Sequence, residues 1–168
     1  MRVYLPATLA VLGRWYADAA ATALGPGYAV TPAVREWYRE GDSDELEHVA
    51  QLAAARGSVE LLAHDLDVPR RRVVLAADVE QATPWPDGPG PNSSLGRAAV
   101  RLSAPVPAGS WACVLADDLE AGAVVASAVA SLARAAVGDE DADFALDEAD
   151  AQELGWYAIQ EIPDLLAG

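Results

Sequence analysis

Apolar residues recur in two rhythms along this chain, at every second position in some stretches and every third or fourth in others. Residues 2–5 alternate, with Val3 and Leu5 on one side, and read as a first strand. Thr8 then caps a helix whose stripe is Leu9, Leu12, Tyr16, Ala19 and Ala23, ended by Gly25-Pro26-Gly27. After an extended piece at 28–30, Thr31-Pro32 opens a short helix that runs to about Glu40 and stops at Gly41. Asp42 with Glu45 forms a capping box for the longest helix, roughly 44–65. Leu46, Val49, Leu52, Ala53, Val59 and Leu62 supply its buried stripe. Gly57 weakens its middle by about 1 kcal/mol relative to Ala and makes a kink there an expectation.

The second half continues with a continuous apolar run at 73–77, the mark of a central strand within 71–79. Pro84, Pro86, Pro89 and Pro91 lie in the next stretch, which predicts a mobile Pro/Gly loop at 81–96. Residues 97–103 alternate as a half-exposed strand, and Trp111 begins a second apolar run to Ala116. Asp117 and Glu120 make a further capping box, opening an Ala-rich helix to about Val137 whose wet stripe is Glu120, Ser127, Ser131 and Arg134. An acidic connector at 139–153 leads to a last strand, 156–162, stopped by Pro163. The result is an α+β chain: a ferredoxin-like β-α-β-β-α-β sheet with extra helices after the first helix. The Trp111 run either adds a strand to that pattern or extends the third. The length fits one domain, 1–168.

Charge changes this picture at one end. Residues 117–168 hold thirteen Asp and Glu against one Arg, and most of the net charge of −15 is made there. Such a field repels nucleic acid and anionic membranes and favours a basic protein partner or a cation. All eleven basic residues are Arg, and 37 positions are Ala, as a GC-rich genome produces. The lone cysteine, Cys113, excludes an internal disulfide and fits a reducing cytoplasm. The apolar stretch 121–137 is short and mostly Ala, too weakly driven to insert in a bilayer.

Four segments carry a resemblance: Met1-Arg-Val-Tyr-Leu-Pro-Ala-Thr8, Thr31-Pro-Ala-Val-Arg-Glu-Trp-Tyr38, Arg71-Arg-Val-Val-Leu-Ala-Ala-Asp-Val79 and Trp156-Tyr-Ala-Ile-Gln-Glu-Ile-Pro-Asp164. Together they resemble a family of small acidic actinobacterial proteins of unknown function, along essentially the whole chain. The resemblance implies no activity and no catalytic residues.

Candidate chemistry is sparse. Asp139, Asp141, Asp143, Asp147 and Asp150 fall at positions 1, 3, 5, 9 and 12 of a calcium-loop spacing, although Phe144 stands where the sharp turn needs Gly. Arg35, Tyr38 and Arg39 form an arginine–aromatic cluster of the kind that holds an anionic or planar ligand, or that anchors a helix through Trp37 and Tyr38. His48 and His64 lie about 160° apart around one helix and cannot share a site; each has a carboxylate four residues earlier, an ordinary helical pair. Arg70-Arg71-Arg72 reads as internal counter-ions for the acidic third, Cys113 as a buried inert thiol, and Trp85 as folding back on the sheet or docking a partner. No catalytic signature and no cofactor are implied. The expectation is a non-catalytic interaction or regulatory module, a homo-oligomer joined through its Ala-rich helix or a sheet face. A small-molecule or cation binder, or an enzyme of unrecognised type, is the alternative. A DNA mimic would need the acids in a phosphate-like array.

Overall fold

The central strands are apolar on both faces because helices cover both sides of one sheet. The computed structural model describes residues 1–85 and 94–168. In chain order the strands are β1 (Arg2–Ala7), β2 (Ala20–Ala21), β3 (Gly27–Ala29), β4 (Val73–Asp78), β5 (Thr83–Pro84), β6 (Ala99–Arg101), β7 (Val106–Pro107), β8 (Trp111–Ala116) and β9 (Gly155–Tyr157). The helices are α1 (Leu9–Asp18), α2 (Pro32–Trp37), α3 (Ser43–Ala63), α4 (Gly122–Ala135), α5 (Glu140–Asp150) and α6 (Ile162–Ala167). Seven strands make the main sheet in the order β5-β6-β3-β1-β4-β8-β9, while β2 and β7 pair separately.

The mixed α and β content is as expected, but the ferredoxin-like pattern is not confirmed. That pattern separates its first strand from the strand following the first helical stretch by one intervening strand, whereas β4 is the direct antiparallel neighbour of β1. The strand at 97–103, expected beside the 71–79 strand, pairs instead with β3 on the far side of β1. The Trp111 run takes its place as a full strand against β4.

Period-2 alternation divides the core. Val3, Leu5 and Ala7 of β1, with Val73, Leu75 and Ala77 of β4, pack under α1 and α6 through Leu12, Trp15, Ile162 and Leu165. On the opposite face Tyr4, Tyr28, Val74 and Ala76 meet Leu46, Ala50, Ala53 and Ala54 of α3. The small side chains of α3 let it lie close to the sheet. Gly57 is the closest point: a Cβ there would stand 2.7 Å from Pro6 Cγ and 3.3 Å from the Tyr28 ring. Gly57 therefore has a packing role. Gly57→Ala should destabilise the fold despite a gain of about 1 kcal/mol in helix propensity, because overpacking costs roughly 1–3 kcal/mol and Pro6 is held by its strand. Urea unfolding checks this; a more stable variant would refute the contact.

Several element boundaries depart from expectation. The first helix stops at Asp18, where Ala19 takes a left-handed conformation (φ 52) and donates its amide to Trp15 and Tyr16 carbonyls. The polypeptide then pairs Ala20–Ala21 with β7 instead of continuing the helix to Ala23. The acidic connector at 139–153 contains α5, whose Ala142, Ala145, Leu146 and Ala149 are buried. Glu140, Asp141 and Asp143 occupy its first turn, where the helix dipole favours negative charge. The last strand ends at Tyr157, and Pro163 sits in the first turn of α6 rather than stopping a strand. Asp117 makes no capping box, and Ser131 of the expected wet stripe is buried. Within the loop expected at 81–96, Thr83–Pro84 forms an edge strand and the rest of that expectation falls largely on 86–93, outside the described residues.

Candidate functional site

Tyr4 and Tyr28 are cross-strand partners on β1 and β3, both turned toward α3 and both buried. The Tyr4 hydroxyl donates to Glu47 Oε2 at 2.8 Å and accepts from Gln51 Nε2 at 3.3 Å, so its polar end is satisfied. Tyr28 is 1% exposed and its hydroxyl has no hydrogen-bond partner, alone among the buried side-chain polar atoms described. Leaving such a group unpaired costs roughly 1–3 kcal/mol.

The reason is local. Gly57, Glu60 and Leu61 of α3 and His64 just after it, with Leu5, Pro6 and the 23–26 turn, enclose a cavity of about 220 Å³ lined also by Tyr28. Its walls are mostly apolar, and Glu60 and His64 add polar groups. Burial raises the Glu60 carboxyl above its ordinary value, opposed by nearby His64 and Arg56, so it stays protonated, and able to donate, to higher pH than a free Glu. Burial, reinforced by the Glu60 charge, also raises the Tyr28 phenol and keeps it neutral. An apolar cavity with a few convergent polar groups is the usual form of a small-molecule site.

None of the candidates drawn from sequence patterns lies here except Glu60 and His64, which their helical spacing suggested only as a stabilising pair. Arg35 and Arg39 are exposed, and Tyr38 is half-buried. Tyr38 and Arg39 line an open groove with Trp37, Asp44 and His48, and Arg35 is not among its lining residues. Trp37 does not anchor α2: it is 59% exposed with the Arg97 guanidinium stacked 3.7 Å above its ring, and Val34 is the buried residue. The five aspartates do not converge. Asp139 caps α5 by accepting the Ala142 amide, Asp147 and Asp150 both pair with Arg56, and Asp141 and Asp143 are exposed. Among the described residues no group of three or more His, Cys, Asp or Glu is placed to hold a metal ion.

The arginine run has three separate uses. Arg70 donates to the carbonyls of Leu62, Asp65 and Leu66 at the end of α3. Arg72 pairs with buried Asp117 at 2.6 Å, the counter-ion use expected of the run. Arg71 donates to the Asp117 carbonyl. Cys113 is buried, and burial raises its thiol. Trp85 folds back, its amide bonded to Ala99 O and its ring under Arg101 at 4.1 Å. Among the described residues no helix is long and apolar enough to cross a membrane.

A family model described as a family of unknown function (DUF6912) matches residues 1–166. Comparison with curated proteins finds no match, and comparison with solved structures finds none either.

Proposed function

Because the chain belongs to this family of unknown function, its role has to be read from its own sites, and we propose a non-catalytic small-molecule-binding module of regulatory type, acting in the cytoplasm. The observation that carries this reading is a mostly apolar cavity walled in part by Tyr28, a residue whose buried hydroxyl has no partner. A ligand that fits has a compact apolar body and one oxygen acceptor, which accepts a hydrogen bond from the phenol while Leu5, Pro6, Leu24 and Leu61 cover the rest. Glu60 lines the same cavity as a second polar group.

Self-association through the Ala-rich α4 has less support, because the burial it called for is supplied within the chain. Val59 of α3, Ala128 of α4 and Leu146 and Ala149 of α5 share one cluster. The apolar face of the acidic helix thus fills the place a second subunit would have taken.

The test uses cyclohexanone as probe, a small ring with one acceptor, in thermal melts. The wild-type protein should melt higher as cyclohexanone rises, since a ligand that binds only the native state stabilises it. Tyr28→Phe should be more stable than wild type without the probe, by up to about 1–3 kcal/mol, and should lose the response. A variant less stable than wild type, or one that responds as wild type does, would overturn the reading.

A further inference from the structure

Arg71 is 6% exposed, yet among the described residues it forms no ion pair. Its Nε donates to the Asp117 carbonyl at 2.8 Å and its Nη2 to the Tyr157 hydroxyl at 3.4 Å, while among the described residues Nη1 has no hydrogen bond. The nearest buried carboxylate, Asp117, is fully committed to Arg72, with both oxygens bonded to that residue. A buried guanidinium without a carboxylate is costly, and an incoming anion relieves that cost.

Arg71 and Tyr157 line a pocket of about 470 Å³. Asp118, Glu120, Glu161 and Asp164 also line it, and all four are exposed. The site therefore has a buried cation beside a half-buried phenol, with negative charge around its mouth. Free phosphate or a dicarboxylate would meet repulsion from those acids. A small carboxylate that also carries a positive group satisfies both, because guanidinium and carboxylate pair through two parallel hydrogen bonds while the cation faces the acids.

We infer that this pocket, distinct from the Tyr28 cavity, binds amino-carboxylates: the carboxylate on Arg71 and Tyr157, the cationic group toward Asp118, Glu120 and Asp164.

Calorimetric titration with free arginine tests this, with agmatine (the same cation without the carboxylate) and propionate (the carboxylate without the cation) as comparisons. Arginine should bind saturably, and both comparisons at least about tenfold more weakly, the loss that one charge-assisted hydrogen bond produces. Arg71→Gln should abolish arginine binding, and Tyr157→Phe, which keeps the ring and its packing, should weaken it severalfold. Tyr28→Phe should leave it unchanged, which separates failure here from failure at the other cavity. Should Arg71→Gln not fold, the agmatine comparison and Tyr157→Phe decide the matter. Absence of arginine binding, equal binding of agmatine, or an unaffected Tyr157→Phe would overturn the assignment.

Discussion

Asp117→Ala should lose roughly 3–5 kcal/mol of stability, the largest effect expected of any single substitution described for this chain. Asp117 is 0% exposed and Arg72 1%. Asp117 Oδ2 accepts from the Arg72 amide at 2.7 Å and from its Nε at 2.9 Å, and Oδ1 accepts from Nη2 at 2.6 Å. Truncation would leave the guanidinium buried and uncompensated, with one carbonyl contact remaining, from Nη2 to Gln152 O at 3.0 Å. That contact ties the segment after α5 to the edge of β4, so the damage would spread to the α5–β9 connection. The size of the loss is informative in itself. If Asp117 were only a helix cap, as its spacing from Glu120 suggests, Ala would cost about 0.5–2 kcal/mol. Urea unfolding at neutral pH distinguishes the two, and a loss under about 1 kcal/mol would mean that the pair does not form as described. The double variant Arg72→Met with Asp117→Leu should recover most of the loss, since apolar replacement of a buried pair is often neutral or better.

Asp117 also shows where sequence reading succeeds and fails. The Asp42–Glu45 box is present with both reciprocal bonds, and Thr8 and Thr31 cap their helices as spacing predicts. These motifs close within three residues, so local sequence determines them. Asp117 has the same local spelling, but its partner is 45 residues earlier, and tertiary pairing overrides the cap. At α5 both signals were present in the sequence. Alternating aspartates suggested a loop, while Ala142, Ala145, Leu146 and Ala149 recur at helical spacing. The helical rhythm prevails because it buries apolar surface against α4, whereas the exposed acids gain nothing from convergence.

The candidate sites were less legible for a related reason. No local pattern marks Tyr28, because an unpaired hydroxyl depends on which α3 side chains lie across from β3. Three turns along that helix the partners change from Glu47 and Gln51, which serve Tyr4, to the Gly57 and Leu61 surroundings of Tyr28. Arg71 was visible only as part of a basic run. Its lack of a carboxylate follows from Asp117 being held by the next residue, Arg72, a fact of packing that charge counting cannot reach.

Ser58 is the second position where one small side chain should have a disproportionate effect. It is 0% exposed on α3, and its hydroxyl donates to the Ala7 carbonyl at 2.7 Å while accepting the Val73 amide at 3.0 Å. Ala7 and Val73 are opposite one another at the end of the β1–β4 pairing. Ser58 therefore completes the ladder where the strands stop bonding each other and fastens the helix to both. Ser58→Ala removes one oxygen and leaves two buried backbone groups without partners, each costing roughly 1–3 kcal/mol, so a loss of about 2–4 kcal/mol is expected in chemical unfolding. Helix propensity acts in the opposite direction, because Ala is the better helix former by a few tenths of a kcal/mol. If propensity governed, the variant would be as stable as wild type or more so. Amide exchange resolves the mechanism as well as the magnitude: the Val73 amide should exchange faster relative to Leu75 in Ser58→Ala, whereas a general loss of stability would accelerate both together.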